Sequence, residues 1–222
     1  MEINQFLRNN SDAKYKELMQ QQIFTKYEII GVRIPTIKAK AKEILKSEEL
    51  NEYLKIKKFE SFEEIQLFAY VVNELQDFKT CIKLVDFMLK KIDNWSNCDS
   101  IKPKIFTKNI DLLETQINEW LESEYVYQVR FAIICLIRYF AGDDRYLLKI
   151  INLQTEKRYI NMARAWFIAE CLAVDFDKTM LFLKEYKLDK KTLTMTLEKS
   201  RFSEKLTPEQ KVKIKELRLS DN

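Results

Sequence analysis

The residues best suited to chemistry in this sequence are aromatic rings, one carboxylate and basic groups that recur at one helical phase. Counted from Arg130, equivalent helix positions recur at an offset of 32 residues, and the position three residues earlier is aromatic in three successive helices. Residues at relative positions −3, 0, +1 and +4 share one face of a helix. The face predicted in this way carries Trp95, Asp99, Lys102, Tyr127, Arg130, Tyr159 and Trp166. Rings attract cations and a guanidinium grips planar anions, so this composition is typical of a binding surface.

The helix around Arg130 separates this face from a packed side. The packed side is predicted by one apolar stripe, whose members are Val126, Val129, Ile133, Leu136, Ile137 and Phe140. A second stripe beside it consists of Tyr127, Arg130, Ile134 and Arg138. We expect this second stripe to be open to a ligand, because aromatic and guanidinium groups together make poor core, whereas Trp120 lies outside the aromatic series and is predicted to be core. The same helical spacing is also expected if these residues pack in the core and Arg130 and Asp99 form a structural ion pair between helices. The sequence pattern alone does not decide between a binding face and a packed face.

Composition excludes most other classes of site. The 222 residues include no histidine, two glycines and three prolines. Without histidine there is no imidazole general base, no Ser-His or Cys-His nucleophile and no zinc site built on imidazole. So few glycines exclude a phosphate loop and a dinucleotide fingerprint, and so few turn residues exclude a sandwich or a barrel. We therefore expect an all-helical protein that needs neither a metal nor a cofactor.

Compartment and assembly follow from similar considerations. Four cysteines lie far apart in apolar stretches without a C-x-x-C pair, and we expect buried, reduced thiols; they are Cys81, Cys98, Cys135 and Cys171. The N-terminus is polar, and the best apolar run, 131–137, is far shorter than a membrane span. These features predict a soluble, cytoplasmic protein without a membrane partner, and we expect a monomer.

Helical periodicity runs through almost the whole chain. Pro35 opens a helix after a turn at Gly31. Ser61 starts a capping box, and Asp93-Asn94 caps a helix that begins at Trp95. Besides the helix that begins at Trp95, the predicted helices are 35–46, one that starts near 47, 61–75, 78–92, 109–122, 124–140, 144–152, 158–173, 176–186, 189–200 and 208–218. The repeat near 32 residues predicts an all-α fold, an α-solenoid of HEAT-like antiparallel helix pairs that forms a single domain over 1–222 with a concave binding face.

Basic residues are distributed unevenly along the chain. The formal net charge is +4, and between Leu183 and Arg218 eleven Lys and Arg residues stand against six Asp and Glu residues. This basic end is either a solvated helical surface or an arm that faces phosphates. Two further groups of lysines are candidate phosphate contacts: Lys102, Lys104 and Lys108 follow Asp99, and Lys38, Lys42 and Lys46 recur at i, i+4 spacing.

Five segments of the chain carry a family resemblance. They are Ile30–Pro35, Phe68–Glu74, Ile92–Ser100, Val129–Ile133 and Met162–Trp166. Together they resemble the AlkD-like DNA alkylation repair family, DNA glycosylases built from HEAT-like repeats. The resemblance implies that a lesion cleft is lined by Trp95, Asp99, Arg130 and Trp166, and that the partner is double-stranded DNA with alkylated bases, at a bacterial-type location on the nucleoid. The N-terminal helix of that family can also bring an aromatic side chain toward the lesion, whereas the aligned stretch Gln20–Gln22 offers none.

The activity implied by the resemblance is excision of cationic alkylated purines, such as 3-methyladenine and 7-methylguanine. A cationic base departs as a neutral molecule, so no general acid is required, which suits a chain without histidine. Asp99 would stabilise the positive, oxocarbenium-like sugar and orient a water, while Arg130 would hold a phosphate. Two alternatives stay open: a non-catalytic relative that binds duplex DNA, and a HEAT-type scaffold for a protein partner. The intact Asp99 with both tryptophans favours an enzyme, and the basic C-terminal end favours DNA.

Overall fold

The computed structural model describes residues 3–217, and this part of the chain is all-helical. Its first helices are α1 (Ile3–Asn9), α2 (Ala13–Gln22), α3 (Ile34–Lys46), α4 (Leu50–Tyr53), α5 (Phe62–Val72), α6 (Phe78–Leu89) and α7 (Trp95–Ser100). A 3₁₀ helix, Lys104–Lys108, leads to the rest: α8 (Ile110–Leu121), α9 (Val126–Tyr139), α10 (Asp144–Asn152), α11 (Arg158–Val174), α12 (Phe176–Glu185), α13 (Lys190–Phe202) and α14 (Pro208–Glu216). Within residues 3–217 the only β features are two isolated bridges, so the all-α prediction is confirmed. Arg218, counted in the basic end, and Met1-Glu2 of the polar N-terminus lie outside the described residues.

The chain divides into two compact units, residues up to Glu114 and residues from Thr115 onward. In the first unit α5 packs against α3 and α7, and α6 also packs on α5. In the second unit α11 packs between α9 and α13, while α10 and α12 pack on each other and on α11. Alternate helices therefore form one layer in each unit, which is a helical-repeat arrangement consistent with the predicted α-solenoid. The single domain over 1–222 stays a prediction.

Short polar side chains start most of the helices. Ser61 and Glu64 form the predicted capping box at α5, and Asn94 caps α7 by accepting a hydrogen bond from the amide of Asn97. The predicted helix ends at 75 and 92 were wrong, because α5 ends at Val72 and α6 at Leu89. Buried Ile92 continues the apolar pattern of α6 after the helix has ended, so periodicity alone overextends it.

The two N-terminal helices, α1 and α2, were not predicted, because their sequences lack the apolar periodicity of a packed helix. The only buried residue of α1 is Leu7, and α2 has none. An amphipathic stripe is what the sequence pattern detects, so helices that bury so little leave only their caps as evidence. Asp12 supplies such a cap for α2, since its carboxylate accepts a hydrogen bond from the amide of Tyr15.

The core contains the residues predicted to be inert. All four cysteines are buried thiols, as predicted, and burial raises the pKa of Cys81 and Cys135 to about 12. Trp120 is 2% exposed and meets the ring of Phe131 edge to face with centroids 5.3 Å apart, which confirms it as core. Across residues 3–217, none of the helices combines the length and the apolar character that a bilayer crossing demands.

A buried carboxylate fixes the irregular segment before α3. Glu63, in the first turn of α5, is 1% exposed, and its two oxygens accept hydrogen bonds from the amides of Ile30, Gly31 and Val32 at 2.9, 2.7 and 3.3 Å. Gly31 adopts φ +92°, a conformation that L side chains rarely adopt. Its carbonyl accepts from the amide of Asp12, so the segment is also tied to the start of α2.

We expect Gly31→Ala to lower the free energy of unfolding by at least about 2 kcal/mol. The positive φ is one cause, and the other is that a Cβ would lie 2.5 Å from the Cβ of Lys16 and 2.8 Å from the carbonyl oxygen of Asp12. Gly142→Ala is the matched control, because its φ is +90° but its Cβ would meet only the side chain of Val174. Urea unfolding of both variants tests the prediction, which is wrong if Gly142→Ala costs as much as Gly31→Ala.

Arg164 of α11 organises the second unit from inside. The side chain is fully buried, and its guanidinium donates to the carbonyls of Ile150 and Ile151, in the last turn of α10, at 3.0 Å each. It also donates to side-chain oxygens at 2.8–2.9 Å, and those acceptors are Asn161, Asp189 and Thr192. Because Asp189 is the N-cap of α13, one side chain joins α10, α11 and α13.

Candidate functional site

Helix α7 carries two of the predicted site residues, and the chain around it holds it firmly. Asp93, just before the cap, accepts hydrogen bonds from the hydroxyl of Thr25 and the amide of Lys26, both at 2.7 Å. This connection ties α7 to the loop after α2. Trp95 therefore starts α7 and Asp99 lies one turn later on the same face, as the spacing predicted.

Trp95 is only partly buried. One side of its ring packs on a buried cluster of Ile23, Ile29 and Phe62, which Met19 and Tyr27 also contact. The hydroxyl of Tyr27 donates to the carbonyl of Lys91 at 2.9 Å, which steadies this packing surface. The ring is thus fixed from one side and keeps some surface for a ligand.

Asp99 lines a basic groove of about 470 Å³ within the first unit. Lysines come to the groove from two parts of the chain, Lys38 and Lys42 from α3 and Lys102 and Lys104 from the segment after α7. The Nζ atom of Lys38 lies 5.3 Å from the ring centroid of Tyr70, and Lys104 pairs with Glu74 at 2.6 Å. Four cations against two carboxylates make the groove attractive to a polyanion.

Asn73 positions the segment that follows Asp99. Its side-chain amide donates to the carbonyl of Ser100 at 2.9 Å, and its side-chain oxygen accepts from the amide of Lys102 at 2.6 Å. Its own carbonyl accepts from the amide of Lys104 at 2.9 Å. Sequence reasoning missed this residue, and the signal was weak: a lone asparagine at the end of a helix whose apolar pattern continues to residue 75.

Phe24 is the second residue that sequence reasoning missed. It follows α2 and is 78% exposed, an unusual state for a large aromatic side chain. The next two residues, Thr25 and Lys26, are the ones bonded to Asp93, so the chain presents this ring beside the start of α7. The stretch Gln20–Gln22 offered no aromatic, and the ring lies two residues further on.

In the second unit, Arg130 is buried and holds the start of α11. Its Nη1 atom donates to the carbonyl of Tyr159 at 2.9 Å, and the rings of Tyr127 and Tyr159 lie 6.0 Å apart. The expectation of an open second stripe on α9 is wrong for most of its length, because Tyr127, Arg130 and Ile134 are 7%, 4% and 1% exposed. The physical reason is that α9 is a central helix buried on nearly all sides, so a helix phase chosen for one packed face does not apply.

Trp166 lies on the same face of α11 as Tyr159, two turns further on, and is partly exposed. Its indole Nε1 donates to Glu170 at 3.3 Å, and the Nζ atom of Lys199 lies 5.6 Å from the ring centroid. Lys205 pairs with the other oxygen of Glu170 at 2.7 Å. The ring already takes part in a cation–π contact, which shows that it can hold a positive group.

Each unit thus groups its own part of the predicted site. In the first, Asp99 and Lys102 line one groove, while Trp95 shares α7 with Asp99 but packs on the cluster of Ile23, Ile29 and Phe62 and does not line that groove. The second joins Arg130 with Tyr127 and Tyr159. The assignment of all seven residues to one DNA-binding face stays a prediction.

Comparison with family models gives a match over nearly the whole chain. No curated protein matches the chain. A family model described as DNA alkylation repair enzyme matches residues 3–198, and the matched part includes Trp95, Asp99, Arg130 and Trp166. The match ends inside α13 and leaves α14 outside it. The chain therefore belongs to the DNA alkylation repair enzyme family.

Proposed function

We propose that this protein is a monofunctional DNA glycosylase that hydrolyses the N-glycosidic bond of cationic alkylated purines, 3-methyladenine and 7-methylguanine, in duplex DNA. Membership of a DNA alkylation repair family implies DNA as the substrate. The observation that carries the proposal is the geometry of α7, where Asp99 lines a groove with four lysines and the partly exposed ring of Trp95 lies one turn earlier on the same helix. That arrangement suits a site that receives a cationic sugar and base attached to a polyanion.

The chemistry needs no proton donor. As the bond between C1′ and the base nitrogen breaks, its electron pair neutralises the positive base, which departs uncharged. The sugar becomes positive, a water oxygen bonds to C1′, and the water's proton passes to a base or to solvent. The carboxylate of Asp99 stabilises the positive sugar and orients that water. The ring of Trp95 faces a cation, and such a contact is worth roughly 0.5–2 kcal/mol depending on desolvation.

The second unit contributes Trp166 as a further ring for cationic groups in this proposal. Its partial exposure and its contact with Lys199 support that role. Arg130 has a different part from the one first expected, since it is buried and one of its nitrogens holds the carbonyl of Tyr159. We assign it to positioning α9 against α11 within the second unit.

Release of free base from methylated duplex DNA tests the proposal. Incubation with the protein is expected to release 7-methylguanine or 3-methyladenine and to leave abasic sites with the strands uncut. Unmethylated duplex is the control. Binding to the duplex without release of any base would instead identify a non-catalytic relative, and no binding at all would favour a protein scaffold.

The salt dependence of binding to undamaged duplex should indicate how many lysines of the groove contact phosphates. If about four lysines neutralise phosphates, the logarithm of the binding constant falls against the logarithm of salt concentration with a slope of about −4. We expect Lys38→Gln/Lys42→Gln to reduce the slope to about −2, because each lost phosphate contact removes about 0.9. Fluorescence anisotropy across a salt series measures both slopes.

The matched control for this experiment is Lys57→Gln/Lys58→Gln. These lysines are exposed in the same unit and are not part of the groove that contains Asp99. This double variant changes the net charge equally and should keep the wild-type slope. Equal slopes for the two double variants would mean that the groove does not bind phosphates.

A further inference from the structure

A second cavity, of about 370 Å³, lies between α13 and α14, where the family match ends at residue 198. Ser200 and Arg201 line it from α13, and Lys211 and Lys215 line it from α14. Leu197 and Ile214 supply apolar surface, and Glu198 is the one carboxylate. The volume falls within the range of about 300–1,000 Å³ that is usual for small-molecule sites.

Ser200 is the unusual member of this cavity. The residue is 2% exposed, and its hydroxyl has no hydrogen-bond partner within residues 3–217. Thr196, one turn earlier on the same helix, donates its hydroxyl to the carbonyl of Thr192 at 2.9 Å. The hydroxyl of Ser200 makes no such bond. Buried hydroxyls are almost always paired, and this oxygen is itself covered, so a ligand in the cavity would have to draw the hydroxyl toward it by a change of side-chain rotamer.

The charges around the hydroxyl are mostly positive and are not neutralised internally. Within the described part of the chain, no salt bridge involves Arg201, Lys211 or Lys215. A hydroxyl donor beside three cations is the donor set that a phosphoryl group prefers. The apolar surface of Leu197 and Ile214 adds room for an organic body attached to that group.

We propose that this cavity binds a nucleoside phosphate unit, with the phosphoryl group on Ser200, Arg201 and the two lysines. The sugar and base lie against Leu197 and Ile214. The source of the unit is a free nucleotide or one residue of a DNA strand, which present the same chemistry. This site is independent of the proposed glycosylase activity, because none of its residues lines the groove that contains Asp99.

Calorimetric titration of the full-length protein with dAMP and with deoxyadenosine tests the site. We expect dAMP to bind at least about tenfold more tightly, because only dAMP carries the phosphate. Arg201→Gln/Lys215→Gln should weaken dAMP binding at least about tenfold, whereas Lys184→Gln/Lys190→Gln, two exposed lysines outside the cavity, should leave it unchanged. Equal binding of dAMP and deoxyadenosine, or an equal loss in both double variants, would overturn the proposal.

Ser200→Ala separates a ligand-binding hydroxyl from a structural one. We expect dAMP binding to weaken about threefold to tenfold while the thermal midpoint stays unchanged or rises, since a buried hydroxyl without a partner is lost. A lower midpoint with unchanged dAMP binding would contradict the assignment. Titration with a short single-stranded oligonucleotide identifies the source: if Arg201→Gln/Lys215→Gln also weakens this binding, the unit belongs to a strand, and if only dAMP binding weakens, it is a free nucleotide.

Discussion

Asp99→Asn is expected to lower the single-turnover rate of 7-methylguanine excision by about 10²–10³, which corresponds to about 2.7–4 kcal/mol of transition-state stabilisation. Asparagine keeps the shape of the side chain but removes the charge that opposes the positive sugar. Binding to undamaged duplex should stay the same or tighten slightly, because a negative charge leaves a groove with four lysines. Excision of lesions that already carry a positive charge should suffer most.

Glu74→Gln is the matched control for this variant. Glu74 lines the same groove and pairs with Lys104, so its loss removes the same charge from the same place without touching α7. We expect it to keep excision within a few-fold of wild type. If both variants lose the same activity, the effect comes from the charge of the groove and not from a carboxylate at the reacting sugar. If Asp99→Asn loses thermal stability together with activity, Asp99 is a structural residue.

Arg164→Met is expected to lower the free energy of unfolding by about 2–4 kcal/mol, because buried acceptors lose a charged donor and each buried acceptor left unpaired costs about 1–3 kcal/mol. The variant removes the guanidinium that donates to two carbonyls of α10 and to Oδ2 of Asp189, while Oδ1 of Asp189 keeps its bond from the amide of Thr192. Urea unfolding is the measurement. Arg158→Met, at the exposed start of the same helix, should cost less than about 0.5 kcal/mol. Similar losses in the two variants would mean that the network around Arg164 contributes little.

The same variant should change the dependence of stability on pH. Partial burial raises the pKa of Asp189, but hydrogen bonds from Thr192 and the guanidinium of Arg164 outweigh it and hold the pKa below its usual value. A lowered pKa stabilises the folded protein above the unfolded value of about 3.9, and this contribution is lost as the pH falls through the folded value. Stability should therefore fall less steeply below pH 4 in Arg164→Met than in the wild type.

Local signals gave correct results where one short stretch of chain decides the structure. The capping box at Ser61 and the cap before Trp95 depend on neighbouring residues, and both formed as predicted. The spacing of Trp95 and Asp99 was enough to place them on one face of α7. Lysines at 38, 42, 102 and 104 could be named one by one, but their gathering around Asp99 depends on Asn73 and on the packing of α3, α5 and α7.

Helix phase failed where burial is not one-sided. On α9 the charge of Arg130 suggested an exposed face, yet the helix is surrounded and the guanidinium bonds inside the protein. Arg164 shows the same effect on α11, since its fully buried guanidinium donates to five acceptors that lie between 3 and 28 residues away in the chain. An arginine whose three guanidinium nitrogens all have acceptors is compatible with the core, and those acceptors cannot be found before the fold is known.

The carboxylate of Glu63 accepts hydrogen bonds from three successive amides, so we expect the irregular segment before α3 to open only together with α5. The amides of Ile30, Gly31 and Val32 can exchange with solvent only when a buried carboxylate of α5 releases them, so segment and helix open as one cooperative unit. Phe24 lies between α2, whose cap residue Asp12 donates its amide to the carbonyl of Gly31 in this segment, and Thr25 and Lys26, which are anchored on Asp93. An exposed aromatic ring is therefore presented on a preordered support, and a ligand that stacks on it loses little conformational entropy in binding.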